Sequence, residues 1–409
     1  MSTIEKHDMT QGKILLPLVS FTIPLVLGNL FQLTYNAADS VIVGKYVGEQ
    51  ALAAVGTSTP IMNIAILLIS GMCMGASVLM SSQYGAKDYD TLSRQISTTM
   101  LAGCGFSVVF SLLMLLLANP VLRLIRVPET AIPEAAAYLR IIFMGLIFTF
   151  MYNFLANTMR ALGDSKTPLY FLVTSAFLNI FGDLFFVVVL RWGVAGSAIA
   201  TVCSEGLCCL LCGIYIKKKI PLLCLGKKWW VFDKSLLGKT VSYGSTSAMQ
   251  QVCLQLGKLI IQSVVNTQGV AVMAAFTAVN RVDDFAYTPQ QNIGHAMTTF
   301  LAQNKGAGHK ERMKKGFQTG LLIELVYSIG LFCVIWGLAP QIMTLFAEDG
   351  DAQVVSLGIS YLHLISWMYI LPGLTNGVQG FFRGIGDLKV TLYSTFMNMF
   401  GRVVAGFFF

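Results

Sequence analysis

The sequence predicts an all-α polytopic membrane protein of two six-helix lobes related by a pseudo-two-fold axis along the membrane normal. Three observations predict it. The first is composition: 55% of the residues are apolar and 12% charged, about half the roughly 25% of a soluble domain. The second is a series of apolar runs, each about 20 residues or longer, enough to cross about 30 Å of hydrocarbon. The third is an internal repeat, in which residues 160–166 are echoed by 383–389. Membrane β-barrels are excluded, because their strands read as short alternating segments. Residues Met1 to Gln11 are short and mixed in charge, without a signal-peptide pattern, so membrane entry is expected through the first helix.

The first helix is expected over 14–43. Its apolar run is broken by Pro17 and Pro24, dotted with Asn29, Gln32, Thr34, Tyr35 and Asn36, and leads to Asp39. Pro24 removes one backbone donor, so the helix can bend there. Apolar runs predict further helices over 51–82, 93–118, 134–160, 167–190 and 194–216. The fourth ends at Arg160, the fifth carries Asn179 and Asp183, and the sixth carries Thr201, Glu205 and four cysteines, Cys203, Cys208, Cys209 and Cys212. These cysteines read as small buried hydrophobes and not as a metal site. The second set of helices is expected over 237–265, 270–302, 316–339, 354–381 and 388–409. The predicted organisation is an N-terminal lobe over 1–216, a basic cytoplasmic linker over 217–236 and a C-terminal lobe over 237–409. The chain ends in Gly406-Phe407-Phe408-Phe409, as expected of one stopping before a twelfth helix.

Charge orients the helices. Lys6, Lys13, Lys87, Arg94, Arg160, Lys166, the run Lys217-Lys218-Lys219, Lys227, Lys228, Lys305, Lys310, Arg312, Arg383 and Lys389 fall on one side. Lys45, Arg123, Arg126, Arg140 and Arg191 fall on the other, with the acidic residues Glu348, Asp349 and Asp351. The bias places the N-terminus in the cytoplasm, and the expected location is a bacterial inner membrane. The net charge of +8 is accounted for by these loops, so no nucleic-acid partner is implied.

The repeat has three anchors. Arg160-Ala-Leu-Gly163-Asp164-Ser-Lys166 pairs with Arg383-Gly-Ile-Gly386-Asp387-Leu-Lys389, with Asn153 pairing with Asn376. Asn179-Ile-Phe-Gly182 pairs with Asn398-Met-Phe-Gly401, and Gly48 with Gly269. Each copy holds about six helices, and an even number enters the membrane the same way both times, with the substrate path expected between the halves. Gly163 and Gly386 suit the tight turn after a helix C-terminus. The motifs around them read as hinges or inter-helix locks. The repeat is asymmetric in its acids: Asp39 pairs with Ile260, and Asp183 with Arg402.

A carboxylate inside a spanning helix is costly, by roughly 2.5–3.5 kcal/mol on insertion scales, and marks ion or proton pathways. Asn179 and Asp183 share one helix face, and Asp39, Asn179, Asp183 and Thr201 could form an oxygen-rich cluster. Two close carboxylates in a low-dielectric site share a proton or hold a cation, and these residues do not choose between H⁺ and Na⁺. The competing reading is that each acid caps a helix break or pairs with Lys258, Arg281 or Arg402. Glu205 reads as an interfacial carboxylate, and Lys258, Arg281, Asp283 and Asp284 as a neutralised salt-bridge set. His7, His295, His309 and His363 form no catalytic or metal pattern, so no enzyme is expected.

The chain resembles the multidrug and toxic compound extrusion (MATE) transporters. The resemblance rests on Asp39-Ser-Val-Ile-Val-Gly44 followed by Ala51-Leu-Ala53-Ala54-Val-Gly56, on Arg160-x-x-Gly163-Asp164, on Asn179-x-x-x-Asp183 and on Arg383-x-x-Gly386-Asp387. It implies the MATE/MOP fold and export of organic, often cationic, drugs against Na⁺ or H⁺ by alternating access. It implies a cation-coupling site at Asp39, Asn179, Asp183 and Thr201, substrate contacts at Gln32, Tyr35, Asn153 and Asn157, and a conformational hinge at Pro24. The seventh helix has Gln250, Gln251 and Gln255 where the NorM-type branch has an acid, which makes the chain similar to DinF-like members with a single N-lobe site. No cofactor beyond the coupling ion is implied, the partners are small-molecule drugs and membrane lipid, and the protein is expected to act as a monomer. The alternative is a lipid-linked oligosaccharide flippase of the same superfamily, which needs a strongly cationic cavity. A membrane scaffold without transport would not need unpaired intramembrane acids.

Overall fold

The computed structural model describes residues 8–125, 127–220, 230–346 and 352–408. Lys6, His7, Arg126, the linker residues 221–229 with Lys227 and Lys228, the acidic residues Glu348, Asp349 and Asp351, and Phe409 lie outside them. The described chain is helical: α1 (Leu15–Tyr46), α2 (Glu49–Gly85), α3 (Tyr89–Leu124), α4 (Ile132–Met144), α5 (Leu146–Ala161), α6 (Lys166–Asp183), α7 (Gly193–Lys219), α8 (Lys234–Val265), α9 (Val270–Gly306), α10 (Lys310–Phe346), α11 (Ala352–Met368), α12 (Ile370–Gly384) and α13 (Leu388–Phe408). A six-residue π-helical turn, Leu184–Val189, extends α6.

Thirteen helices stand where the sequence predicts eleven, because two of the expected spans are bent. The span over 134–160 bends by 47° between α4 and α5, and the span over 354–381 by 41° between α11 and α12. The first bend falls at Gly145, where a side chain would meet the Val202 methyl at 2.4 Å; glycine there lets α7 approach. The second falls at Tyr369, whose carbonyl accepts from Gln290 Nε2 at 2.8 Å and Ser328 Oγ at 3.4 Å. Side chains of two other helices thus share an acceptor whose own ladder bond, from Gly373 N, is stretched to 3.4 Å.

Six of the described helices are long and apolar enough to cross a membrane, or up to eight when each bent pair counts as one span. The chain is therefore a multi-pass membrane protein. Helices α8, α9 and α13 fall outside that set; α8 carries Gln250, Gln251, Gln255 and Lys258, and α9 carries Arg281, Asp283 and Asp284.

The chain forms two compact units. The first holds Leu27–Ala248, and the second holds Met9–Val26 with the described residues from Met249 onward. The continuous helix α1 passes from one to the other just after Pro24. In the first unit the core is built on Leu92, Phe143, Leu146, Phe150, Phe154 and Met159, all buried. In the second, Leu18, Phe21 and Leu25 of α1 pack on Ala296, Met297 and Phe300 of α9. The segment before α1 is tied down there: Met9 N donates to Gln303 Oε1 at 3.1 Å, and Arg312 donates to the carbonyls of Gln11 (2.8 Å) and Gly12 (2.6 Å).

Both turn motifs of the repeat form as expected. Gly163 and Gly386 take φ of 89° and 86°, one residue past the caps Leu162 and Ile385. Asp164 Oδ1 then accepts from Lys166 N and Thr167 N, each at 3.0 Å, satisfying free donors of α6.

Candidate functional site

The candidate site lies in the first unit and is assembled by periodicity. Asn179 and Asp183 are one turn apart on α6, and Ser197, Thr201 and Glu205 are successive turns on one face of α7. The two helices form a tightly packed hairpin, and the π turn begins directly after Asp183. Such turns insert an extra residue per ring and recur at functional sites. Asp39 reaches the hairpin from α1.

There the side chains meet. Ser197 Oγ donates to Asp39 Oδ1 at 2.6 Å. Asn179 Nδ2 donates to Thr201 Oγ1 at 3.2 Å, and Thr201 Oγ1 donates to the Ser197 carbonyl at 3.1 Å. Asp39 and Asp183 lie within electrostatic reach of each other. Asp183 is 0% exposed and Asn179 3%. No donor among the described residues reaches Asp183 Oδ1, Asp183 Oδ2 or Asn179 Oδ1. Two carboxylates are both acceptors, so a bond between them needs a proton. The same orphaned oxygens would suit a hard cation. Among the described residues no ion pair reaches Asp39 or Asp183; Lys258 pairs with Asp284 at 3.1 Å.

All four residues of the expected cation cluster are thus brought together. Of the four expected substrate contacts, Tyr35 comes within electrostatic reach of the cluster. Tyr35 of α1 also lies within electrostatic reach of Glu205, and Gln32 stands nearly one turn before it on the same helix. Asn153 Nδ2 and Asn157 Nδ2 are turned onto their own helix, donating to the carbonyls of Thr149 and Asn153, each at 2.9 Å.

The sequence reading did not single out Ser197, although its spacing of one turn before Thr201 is a usable signal. It also placed Glu205 at the membrane interface. In the structure Glu205 is half-buried, with its Oε2 accepting from Thr149 Oγ1 at 2.5 Å and its charge within reach of Tyr35 and Tyr138. The expected salt-bridge set of the second half is divided: Lys258 bridges Asp284, while Asp283 accepts from the Tyr369 hydroxyl.

Replacing Ser197 by alanine deletes the described donor to Asp39. The expected cost is about 1–3 kcal/mol, the penalty for an unsatisfied buried or half-buried acceptor. A thermal melt of purified Ser197→Ala protein checks it, and an unchanged midpoint would mean that this bond contributes nothing.

The repeat has a counterpart among known proteins. The family model described as MatE matches the chain twice, over residues 24–185 and again over 247–408. The chain is 32% identical over 392 residues to "Probable multidrug resistance protein YpnP" of Bacillus subtilis, covering 95% of this chain and 86% of that protein. It is 29% identical to "Probable multidrug resistance protein YoeA" of the same organism, over 93% of this chain and 82% of the relative. Among solved structures, a MOP superfamily transporter from Pyrococcus furiosus superposes with a TM-score of 0.91, at 22% identity, over 100% of this chain and 92% of that one. The last likeness shows the fold. The two family-model matches and the 32% identical relative show the kinship, and the chain belongs to the MatE family.

Proposed function

We propose that the protein is a cation-coupled multidrug antiporter of a bacterial inner membrane, with its N-terminus in the cytoplasm. It exports organic, often cationic, compounds by alternating access. The observation that carries this reading is the Asp39–Asp183 pair: two carboxyls within electrostatic reach of each other, one of them fully buried with oxygens that no donor among the described residues reaches. The pair is stable only when it holds a proton or a metal cation such as Na⁺. An ion arriving from outside neutralises it, and α1, which contains Pro24, responds by bending there. A cationic drug held by Gln32, Tyr35, Asn153 and Asn157 competes for the same negative charge, which makes the exchange obligatory. The multidrug-resistance names of YpnP and YoeA support the substrate class.

The test is ethidium efflux from everted vesicles or proteoliposomes, with a Na⁺ gradient and a proton gradient imposed separately. Efflux under one gradient supports the reading and names the ion. No efflux under either overturns it.

A further inference from the structure

At the turn of the α6–α7 hairpin, opposite Lys166 and Lys219, the first unit holds a cavity of about 420 Å³ lined by Tyr46, Val47, Val187, Val188, Arg191 and Gly193. That volume falls within the roughly 300–1,000 Å³ of small-ligand sites. Three spans begin or end around it: Leu15–Tyr46, Lys166–Val189 and Gly193–Lys219. Residues just past the end of a span lie at headgroup level, where Trp and Tyr gather. Tyr46 and Trp192 are both half-exposed there. The Trp192 ring stacks on Phe186, with 5.4 Å between centroids.

Arg191 is the unusual member of this lining. It is exposed, and no ion pair among the described residues engages its guanidinium. Its backbone is left-handed, with φ of 56°. That conformation crowds the Cβ of any residue with a side chain, whereas glycine takes it freely. Gly193, two residues on, takes φ of 59° in the same turn. A side chain kept at a strained position beside a cavity points to a use for that side chain. Lys45 adds a second cation. It precedes Tyr46, its Nζ stands 5.7 Å from that ring's centroid, and no ion pair among the described residues engages it either.

Two unpaired cations beside an apolar-walled cavity suit an anion with an apolar body. A guanidinium presents a fork of N–H donors that matches phosphate oxygens two at a time, and basic pockets between spans hold lipid headgroups. We propose that Arg191, assisted by Lys45, binds one phosphate group at this cavity, that of an anionic phospholipid. The lipid is favoured over free phosphate because Val47, Val187 and Val188 offer apolar walls, which a bare phosphate cannot use. Asp39 lies two turns before Tyr46 on α1, and Asp183 directly precedes the π turn that carries Val187 and Val188. A bound headgroup therefore ties together the two elements that supply the candidate site's acids. The proposal stands on the cavity and on Arg191, and does not rest on the antiport reading.

The experiment uses the full chain, purified and stripped of lipid in detergent. Native mass spectrometry counts bound phosphatidylglycerol, and thermal melts read its effect. Phosphatidylcholine with the same chains, glycerol 1-phosphate and inorganic phosphate form the other arms. One phosphatidylglycerol is expected to bind about tenfold more tightly than phosphatidylcholine, the worth of one hydrogen-bonded charge pair, and to raise the melting midpoint. Arg191→Gly is the deciding variant. Glycine suits φ of 56°, so this protein without lipid should melt no lower than the parent, while its preference for phosphatidylglycerol disappears. Arg191→Lys keeps the charge without the fork and should fall between. Equal binding of the two lipids by the parent, or an undiminished preference in Arg191→Gly, overturns the proposal. A midpoint raised as much by glycerol 1-phosphate or inorganic phosphate, and no longer raised in Arg191→Gly, keeps the phosphate site and overturns its lipid source.

Discussion

Asp39→Asn is expected to abolish ion-driven drug efflux while leaving a folded protein. The substitution is close to isosteric, so the carbonyl of the new amide still accepts from Ser197 Oγ, now 2.6 Å from Asp39 Oδ1. The new NH₂ group faces Asp183, whose two oxygens lack a donor, and supplies one. The pair then keeps the arrangement it has when one carboxyl holds a proton, without being able to release it. The protein should be at least as stable as the parent, since one of two neighbouring acidic groups becomes a neutral donor beside oxygens that lack one, a charge-assisted hydrogen bond contributing about 1.5–3 kcal/mol. Transport should fall to the level of empty vesicles under either gradient. The check is the efflux assay paired with a thermal melt and size-exclusion profile. Full efflux by a well-folded Asp39→Asn protein would remove Asp39 from the mechanism.

The contrast between the two halves shows which physical signals a sequence transmits. Spans are legible because hydrocarbon thickness fixes their length, and the bent spans were located even though their bends were not. The bend at Tyr369 depends on donors from Gln290 and Ser328, 79 and 41 residues away in the chain, which no local pattern announces. Asp39, Asn179, Asp183 and Thr201 stood out because charge inside an apolar run is rare and helical spacing is readable. Glu205 was read as interfacial from its position toward the cytoplasmic part of the sixth expected helix. In the structure α7 extends over Gly193–Lys219, and Glu205 lies near its middle, within reach of Thr149. Glu324 was missed altogether: it sits between Ile323 and Leu325 in an apolar helix. Only the packing shows that it is fully buried, with no donor among the described residues at either oxygen.

Gly380→Leu is expected to prevent the second unit from folding. Helices α9 and α12 meet backbone to backbone. A Cβ at Gly380 would lie 2.6 Å from the Gly294 carbonyl oxygen, one at Gly294 would lie 2.9 Å from the Asn376 oxygen, and one at Gly384 would meet Leu301 Cβ at 2.6 Å. Small residues at four-residue spacing let membrane helices approach this closely, and here the attraction is dispersion and not hydrophobic burial. Thr298 Oγ1 crosses the same seam, bonding the Gly294 carbonyl at 2.9 Å and the Gly380 carbonyl at 3.3 Å. The obstacle is backbone, which cannot rotate aside, so even Gly380→Ala should cost about 1–3 kcal/mol from overpacking, and leucine should cost more than the helix pair can absorb. Gly337 of α10 is the control, because a Cβ there meets nothing within 4 Å. Gly337→Ala should be neutral or stabilising, by up to ~1 kcal/mol of helix propensity. Fluorescence-detected size exclusion and thermal melts of the three variants separate the cases. Leucine at 380 should yield aggregate, alanine at 380 a lowered midpoint, and alanine at 337 an unchanged or raised one. Equal midpoints for the two alanine variants would show that the α9–α12 seam is looser than its backbone distances require.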